Sequence, residues 1–314
     1  MIRKAAIISI SGPILTKKEI IIIKKEKPWG IILFKRNILS ENQLTNLIKT
    51  IKKIMKDKNY PILIDQEGGR VNRLNNIFNS LPLTGEFFGN LYLKDKKKFF
   101  EYYKIFINQT CLLLKSIGVN INTLPVLDLR SKGSSSIIGD RSFSKNPKIV
   151  SKIGDICINL FHSKKIGTVI KHIPGHGLAK VDSHKLTPSV KKKLKYLKIN
   201  DFSTFKMKSS LFAMTAHIIY SDIDNQNTAT HSKKVIQLIR KYIKFRNLIM
   251  TDDISMKSLK GSIKESTIKA FEGGCDIVLH CNANFKEMNE VAIHSPLINK
   301  FIIKKTSQFY KIIS

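Results

Sequence analysis

Asp65 and Arg73 lie in the stretch Ile64-Asp65-Gln66-Glu67-Gly68-Gly69-Arg70-Val71-Asn72-Arg73. Its two glycines let the backbone turn tightly and come close to a ligand. A carboxylate acceptor and a rigid fork of guanidinium donors suit the vicinal hydroxyls of a sugar. A turn closed by a surface ion pair would have the same sequence. A second stretch, Lys171-His172-Ile173-Pro174-Gly175-His176-Gly177, continues to Asp182-Ser183-His184. In extended chain, residues i and i+2 point to one side. Asp182 can then hold one imidazole nitrogen of His184 and raise the basicity of the other, giving an oriented general acid/base that titrates near neutrality. A loop histidine with a local hydrogen bond is the plainer alternative. His172, His176 and His184 also raise a zinc site, although Pro174 and Gly175 break any helix that could present the first two on one face. The third stretch is Leu248-Ile249-Met250-Thr251-Asp252-Asp253-Ile254-Ser255-Met256. Adjacent carboxylates on extended chain point in opposite directions. One of them can face a pocket as nucleophile, base or metal ligand, while the other caps a helix or organises the loop.

These side chains need a frame that brings distant positions together. Eight short apolar runs recur along the chain: Ala5–Ser11, Gly30–Phe34, Pro61–Asp65, Val119–Asp128, Gly167–His172, Leu211–Ile218, Asn247–Asp252 and Asp276–Cys281. Continuous rather than alternating apolarity suits strands buried on both faces, as in a parallel sheet. Amphipathic, lysine-rich helical patterns lie between them, among them Glu41–Met55, Lys97–Ser116, Pro147–Ser163 and Ser232–Tyr242, the last with Ser232 as a natural N-cap. Residues 283–314 read as a closing helical segment. Eight βα units predict a single α/β domain over 1–314, a (β/α)₈ TIM-type barrel. Asp65, Asp128, Lys171, His172, His217, Asp252 and Cys281 all fall at C-terminal strand ends. A closed barrel gathers those ends on one rim, where its loops build the active site.

Composition bounds the alternatives. The 314 residues are 42% hydrophobic, enough for a large core, and no apolar run reaches membrane-spanning length. Met1–Lys4 followed by Ala5–Ser11 has the outline of a secretory leader. The apolar part is short, Lys17 and Lys18 follow it, and no small-residue cleavage site is evident, so it reads as the first barrel strand. The four cysteines, Cys111, Cys157, Cys275 and Cys281, form no C-x-x-C pair, which fits a reducing cytoplasm. The net charge of +32 would ordinarily suggest nucleic acid. Lysine, however, supplies 47 of the 55 basic residues and is spread along the whole chain, with no stripe of arginine and aromatics. That is a global bias rather than a footprint, although it leaves a mild attraction for anionic substrates.

Together the stretches resemble the bacterial β-N-acetylglucosaminidases of glycoside hydrolase family 3, the cytoplasmic type that recycles peptidoglycan. The resemblance runs in order through Gly30–Asn37, Asp65–Arg73, Pro125–Asp128, Ile138–Phe143, Lys171–Gly177 with Asp182–His184, Met214–His217, Thr251–Met256 and Gly273–Asp276. The glycine-histidine loop with its Asp-Ser-His triplet discriminates best. The resemblance implies that Asp252 attacks the anomeric carbon and that His184, oriented by Asp182, protonates the leaving oxygen and later deprotonates water. It implies that Asp65, Arg73, Arg141, Lys171 and His172 hold the sugar, that Arg70 supports its loop and that His217 lines the pocket floor. Lys171 and Arg141 would keep Asp252 ionised. The expected substrate is N-acetylglucosamine linked to an anhydro-muramoyl peptide. No cofactor, metal, nucleic acid or membrane partner is expected, and the chain should be a monomer. One departure is Ile173, where an aromatic residue commonly follows the histidine. The chain is also too short for the second α/β domain of many glucosidase members, whose acid/base comes from that domain. Two rivals remain: a zinc-dependent hydrolase on the same barrel, and a nonenzymatic binder of nucleic acid or sugar.

Overall fold

Eight runs of mainly Ile, Val, Leu, Ala and Phe form the strands of the computed structural model, which describes residues 2–131, 133, 136–183 and 186–314. They are β1 (Lys4–Ser9), β2 (Pro28–Leu33), β3 (Ile62–Ile64), β4 (Ile121–Asn122), β5 (Gly167–Ile173), β6 (Phe212–Thr215), β7 (Leu248–Asp253) and β8 (Ile277–Leu279). Each pairs in parallel with its sequence neighbours, and β8 pairs with β1, so the sheet closes as a (β/α)₈ barrel. Closure leaves no free edge.

Helices fill the connections, and local chemistry sets their starts. Thr16 and Ser262 close capping boxes with Glu19 and Glu265. Ser40, Asn146 and Ser232 accept amide hydrogen bonds at the starts of Glu41–Met55, Pro147–Ser163 and Lys233–Leu238. Lys233–Leu238 widens into a π-turn over Ile239–Ile243, so the helical pattern expected to start at Ser232 is two kinds of turn in succession. The closing segment is likewise two helices, Phe285–His294 and Lys300–Ile313. Among the described residues no helix is long and apolar enough to cross a membrane.

The strand expected over Val119–Asp128 keeps only Ile121–Asn122 in the ladder, with an isolated bridge from Val126 to Lys171. Pro125 has no N–H to give a neighbouring strand, which interrupts the pairing. The chain still runs along β5, because the amide of Leu127 donates to the Lys171 carbonyl at 2.8 Å.

Side chains alternate between two cores. Ala6, Ile8, Ile31, Ile62, Ile64, Ile170, Ala213, Ile249 and Val278 face outward under the helices. Ala5, Ile7, Ile32, Leu63, Ile121, Val169, Met214, Leu248, Met250, Ile277 and Leu279 fill the barrel interior. The last helix plugs the N-terminal end. Phe309 stacks edge-on to Phe212, Phe212 to Trp29, and Trp29 Nε1 donates to Thr306 Oγ1 at 2.8 Å.

Candidate active site

The period of two places the polar layer. Leu63, Ile121, Val169, Met250 and Leu279 are interior residues. Two positions further along each strand stand Asp65, Thr123, Lys171, Asp252 and Cys281. Four of these five line a cavity of about 150 Å³ at the C-terminal rim, together with Glu67, Arg73, Arg141, His172, His176 and Ser183. Thr123 joins them through hydrogen bonds to Lys171 and Asp65.

One side of the cavity is a ladder of alternating charge. Arg73 approaches Asp65 Oδ2 at 3.2 Å, and the Lys171 ammonium lies 3.1 Å from Asp65 Oδ1 and 2.6 Å from Glu67 Oε1. Arg141 closes a bidentate pair on Glu67, Nε to Oε2 at 2.8 Å and a terminal nitrogen to Oε1 at 2.7 Å. Burial alone would raise the pKa of Asp65, but Lys171, Arg73 and the Thr123 hydroxyl hold it well below the carboxylate range. Glu67 is brought down to about 2 against its own desolvation, chiefly by Arg141 and then Lys171. Both carboxylates are therefore ionised acceptors at neutral pH. Lys171 is only 2% exposed, and Asp65, Glu67 and Thr123 match its three N–H donors. It fixes the acceptors more directly than it offers a free donor.

The other side holds Asp252. It continues the inward parity of Leu248 and Met250, while Asp253 turns outward. Asp253 Oδ1 accepts from the amides of Ser255 and Cys281 at 3.1 and 3.0 Å, so it organises the loop and ties β7 to the end of β8. Asp252 Oδ2 lies 3.9 Å from His172 Nε2. Desolvation pushes the Asp252 pKa up, but His172 and His217, the Asp253 amide and Lys171 bring it below its ordinary value. The groups that act on it most strongly are thus the two histidines. Arg141, expected to share that role, is committed to Glu67.

Asp128, fully buried, positions His172. It accepts from His172 Nδ1 at 2.6 Å, from the His172 amide at 3.2 Å and from the His176 amide at 2.6 Å. A carboxylate can only accept here, so Nδ1 carries the proton and Nε2 is turned toward Asp252. By strict alternation His172 should face away from the interior. A register shift between Lys171 and Ile173 on the β6 side interrupts that alternation, and His172 lines the cavity.

His217 does not line the cavity. It is fully buried, its Nε2 donates to the Asp253 carbonyl at 2.9 Å, and its Nδ1 accepts from the Thr230 hydroxyl at 2.6 Å. With both nitrogens engaged, it supports the end of β7. Arg70 also stays outside the cavity, donating to the carbonyls of Ser136 and Ile138 and pairing with Asp140 at 3.6 Å.

The loop expected to carry the acid/base pair is described up to Ser183 and again from Leu186. Ser183 is buried, lines the cavity and places its hydroxyl 3.2 Å from His176 Nε2. The Asp182 carbonyl accepts from the Leu186 amide at 2.9 Å. His184 lies outside the described residues. Among those described, no three His, Cys, Asp or Glu side chains converge as metal ligands would.

Thr123, Glu67 and Asp128 complete the site without having been singled out for it in the sequence. Thr123 and Glu67 carried a signal, since each stands two positions from an inward residue at a strand end. Asp128 was visible only as one more rim carboxylate.

Comparison with known proteins agrees with this architecture. The model of the glycosyl hydrolase family 3 N-terminal domain matches residues 8–304. A β-hexosaminidase of Neisseria gonorrhoeae (strain ATCC 700825 / FA 1090) is 33% identical over 259 residues, 81% of this chain and 71% of that protein. A β-hexosaminidase of Idiomarina loihiensis (strain ATCC BAA-735 / DSM 15497 / L2-TR) is 30% identical over 282 residues, 88% of this chain and 83% of that protein. A crystal structure of NagZ from Neisseria gonorrhoeae in complex with N-trifluoroacetyl-D-glucosamine superposes with a TM-score of 0.86 at 29% identity, covering 98% of this chain and 90% of that one.

Proposed function

The chain belongs to glycosyl hydrolase family 3 and is a β-N-acetylhexosaminidase, and from that premise we propose that it releases terminal N-acetylglucosamine with retention of anomeric configuration. Asp252 attacks the anomeric carbon and forms a glycosyl-enzyme intermediate. His184, oriented by Asp182, protonates the departing oxygen and then activates the water that hydrolyses the intermediate. The oxocarbenium-like transition state gains positive charge at the ring, which an adjacent ionised carboxylate stabilises. Asp65 and Arg73 take the ring hydroxyls, with Arg141, Lys171 and His172 completing the sugar site. The natural substrate is a peptidoglycan fragment, N-acetylglucosamine on an anhydro-muramoyl peptide. The chain works as one cytoplasmic, monomeric catalytic domain over 1–314 without cofactor, membrane or nucleic acid.

One observation carries this reading. Asp252 is the inward carboxylate of β7, held ionised, and it shares one sugar-sized cavity with the Asp65–Arg73 pair. Hydrolysis of a chromogenic N-acetyl-β-glucosaminide, followed by NMR of the first-formed sugar, tests it. We expect turnover well above that on the matching glucoside, unaffected by a chelator, with the β anomer appearing first. First appearance of the α anomer would exclude a covalent intermediate, and chelator-sensitive turnover with stoichiometric zinc would favour the metal-dependent rival.

A further inference from the structure

The segment that carries Asp182 and Ser183 leaves the barrel at Gly175 and returns at Pro188, and both of its ends are gripped by one short strand. Ile219–Tyr220 pairs in parallel with Ser189–Val190 just beyond the loop. The Ile219 amide donates to the Pro188 carbonyl at 2.9 Å, and the Ser221 amide to the Val190 carbonyl at 3.1 Å. On the opposite face, the Tyr220 hydroxyl donates to the Gly175 carbonyl at 2.5 Å. Tyr220 is 1% exposed, and its ring meets Phe202 edge-on with centroids 5.4 Å apart.

Gly175 leaves no room for a side chain at this point. Its φ is +141°, and a Cβ there would come within 2.8 Å of the Asp201 Cβ. Asp201 itself is 2% exposed, and neither carboxyl oxygen has a hydrogen-bond partner among the described residues. The Tyr220 phenol therefore holds the loop root, and the buried Asp201 bars a side chain from Gly175. The hydrogen bond from Tyr220 is a polar link between the loop root and the strand that fixes the far end of the loop.

We infer that Tyr220 is a positioning residue for the acid/base loop: its hydroxyl sets the path of the chain where it leaves Gly175 toward Asp182 and Ser183, and through that path the efficiency of leaving-group protonation. The inference rests on the assignment of His184 as acid/base. A general acid works only within hydrogen-bond distance of the atom it protonates, so a shifted loop root weakens protonation while leaving attack by Asp252 from β7 intact.

Tyr220→Phe keeps the ring and its packing while deleting the hydroxyl. The readout is the ratio of kcat/KM on an alkyl N-acetyl-β-glucosaminide, which needs protonation, to that on an aryl glycoside with a good leaving group. Tyr220→Phe should lower this ratio about tenfold, His184→Ala should lower it further, and the double variant should match His184→Ala. Gly175→Ala offers a second disturbance of the same root and should move the ratio in the same direction. If the Tyr220 and Gly175 variants leave the ratio unchanged while His184→Ala lowers it, Tyr220 is a packing residue and the inference falls alone. If His184→Ala leaves the ratio unchanged, the acid/base assignment falls and takes the inference with it.

Discussion

The two ends of this barrel are built on the same strands and the same alternation, yet they do opposite things with polar groups. At the N-terminal end the interior is sealed by Trp29, Phe212 and Phe309, and the indole N–H is capped by Thr306. The nearby ion pair of Arg3 and Asp57 is closed at 2.5 Å, and Tyr310 donates to the same carboxylate at 2.6 Å. At the C-terminal rim the next inward positions are occupied by Asp65, Thr123, Lys171, Asp252 and Cys281. Asp65, Lys171 and Thr123 satisfy one another, but Asp252 keeps its second oxygen 3.9 Å from an imidazole and faces a cavity. The strand period is indifferent to function; the residue type at the last inward position turns a sealed end into a reactive one.

The largest expected effect separates the ends by activity. Asp252→Asn should reduce kcat by about 10³-fold or more while the melting temperature stays near that of the parent, because a rim carboxylate stabilises the transition state rather than the fold. A residual rate within tenfold of the parent would remove the rim from the chemistry. Conversely, Trp29→Ala empties part of the floor and should cost about 3–5 kcal/mol in denaturant unfolding. Turnover per folded molecule should persist, and a change in its substrate preference would show that the ends are coupled. Glu67→Ala should blur the contrast. It removes the carboxylate partner of the largely buried Arg141 and one of the two carboxylates on Lys171, and should cost about 3 kcal/mol of stability together with a raised KM. A variant that loses only stability would place Glu67 with the floor residues.

The smallest effect is a difference in pH response. His176 at the rim is pushed down from 6.5 to about 4, mainly by burial and then by His172. Between those values the unfolded chain binds a proton that the folded chain does not, so stability falls as pH drops from 6.5 toward 4. Asp201, raised to about 7 by burial with a smaller push from Asp128, acts with the opposite sign, so the comparison must be made against His176→Gln, in which only the histidine contribution is lost. That variant should show a shallower loss of melting temperature over the window. Asp57 at the floor is held below its ordinary 3.8, where desolvation opposes and Tyr310 and Arg3 prevail, so its contribution is lost only as pH falls further. Equal slopes for variant and parent would contradict the assignment of a neutral, buried His176.

Much of this layout was legible in the sequence because it depends on local signals. Apolar runs marked the strands, the Ser232 hydroxyl marked one helix start, and the polar residues at the ends of the runs marked the rim. Pairings across long separations were not legible. Nothing near Glu67 announces Arg141 or Lys171, and nothing near Asp128 announces His172, since closure of the barrel brings them together. The partners of His217 were not legible either, because Thr230 and the Asp253 carbonyl, distant in sequence, take its two nitrogens. His172 was placed at the rim, but the register shift in β5 that turns it into the cavity is invisible in a hydropathy pattern.

The central claim is that the Asp252 carboxylate becomes covalently bonded to the sugar. Incubation with a fluorinated N-acetylglucosaminyl substrate that forms the intermediate quickly and hydrolyses it slowly, followed by mass spectrometry of proteolytic peptides, tests this most directly. The account predicts one sugar per chain, carried on the peptide containing Asp252 and absent from Asp252→Asn. A sugar attached elsewhere, or stoichiometric turnover with no adduct at any time point, would contradict it.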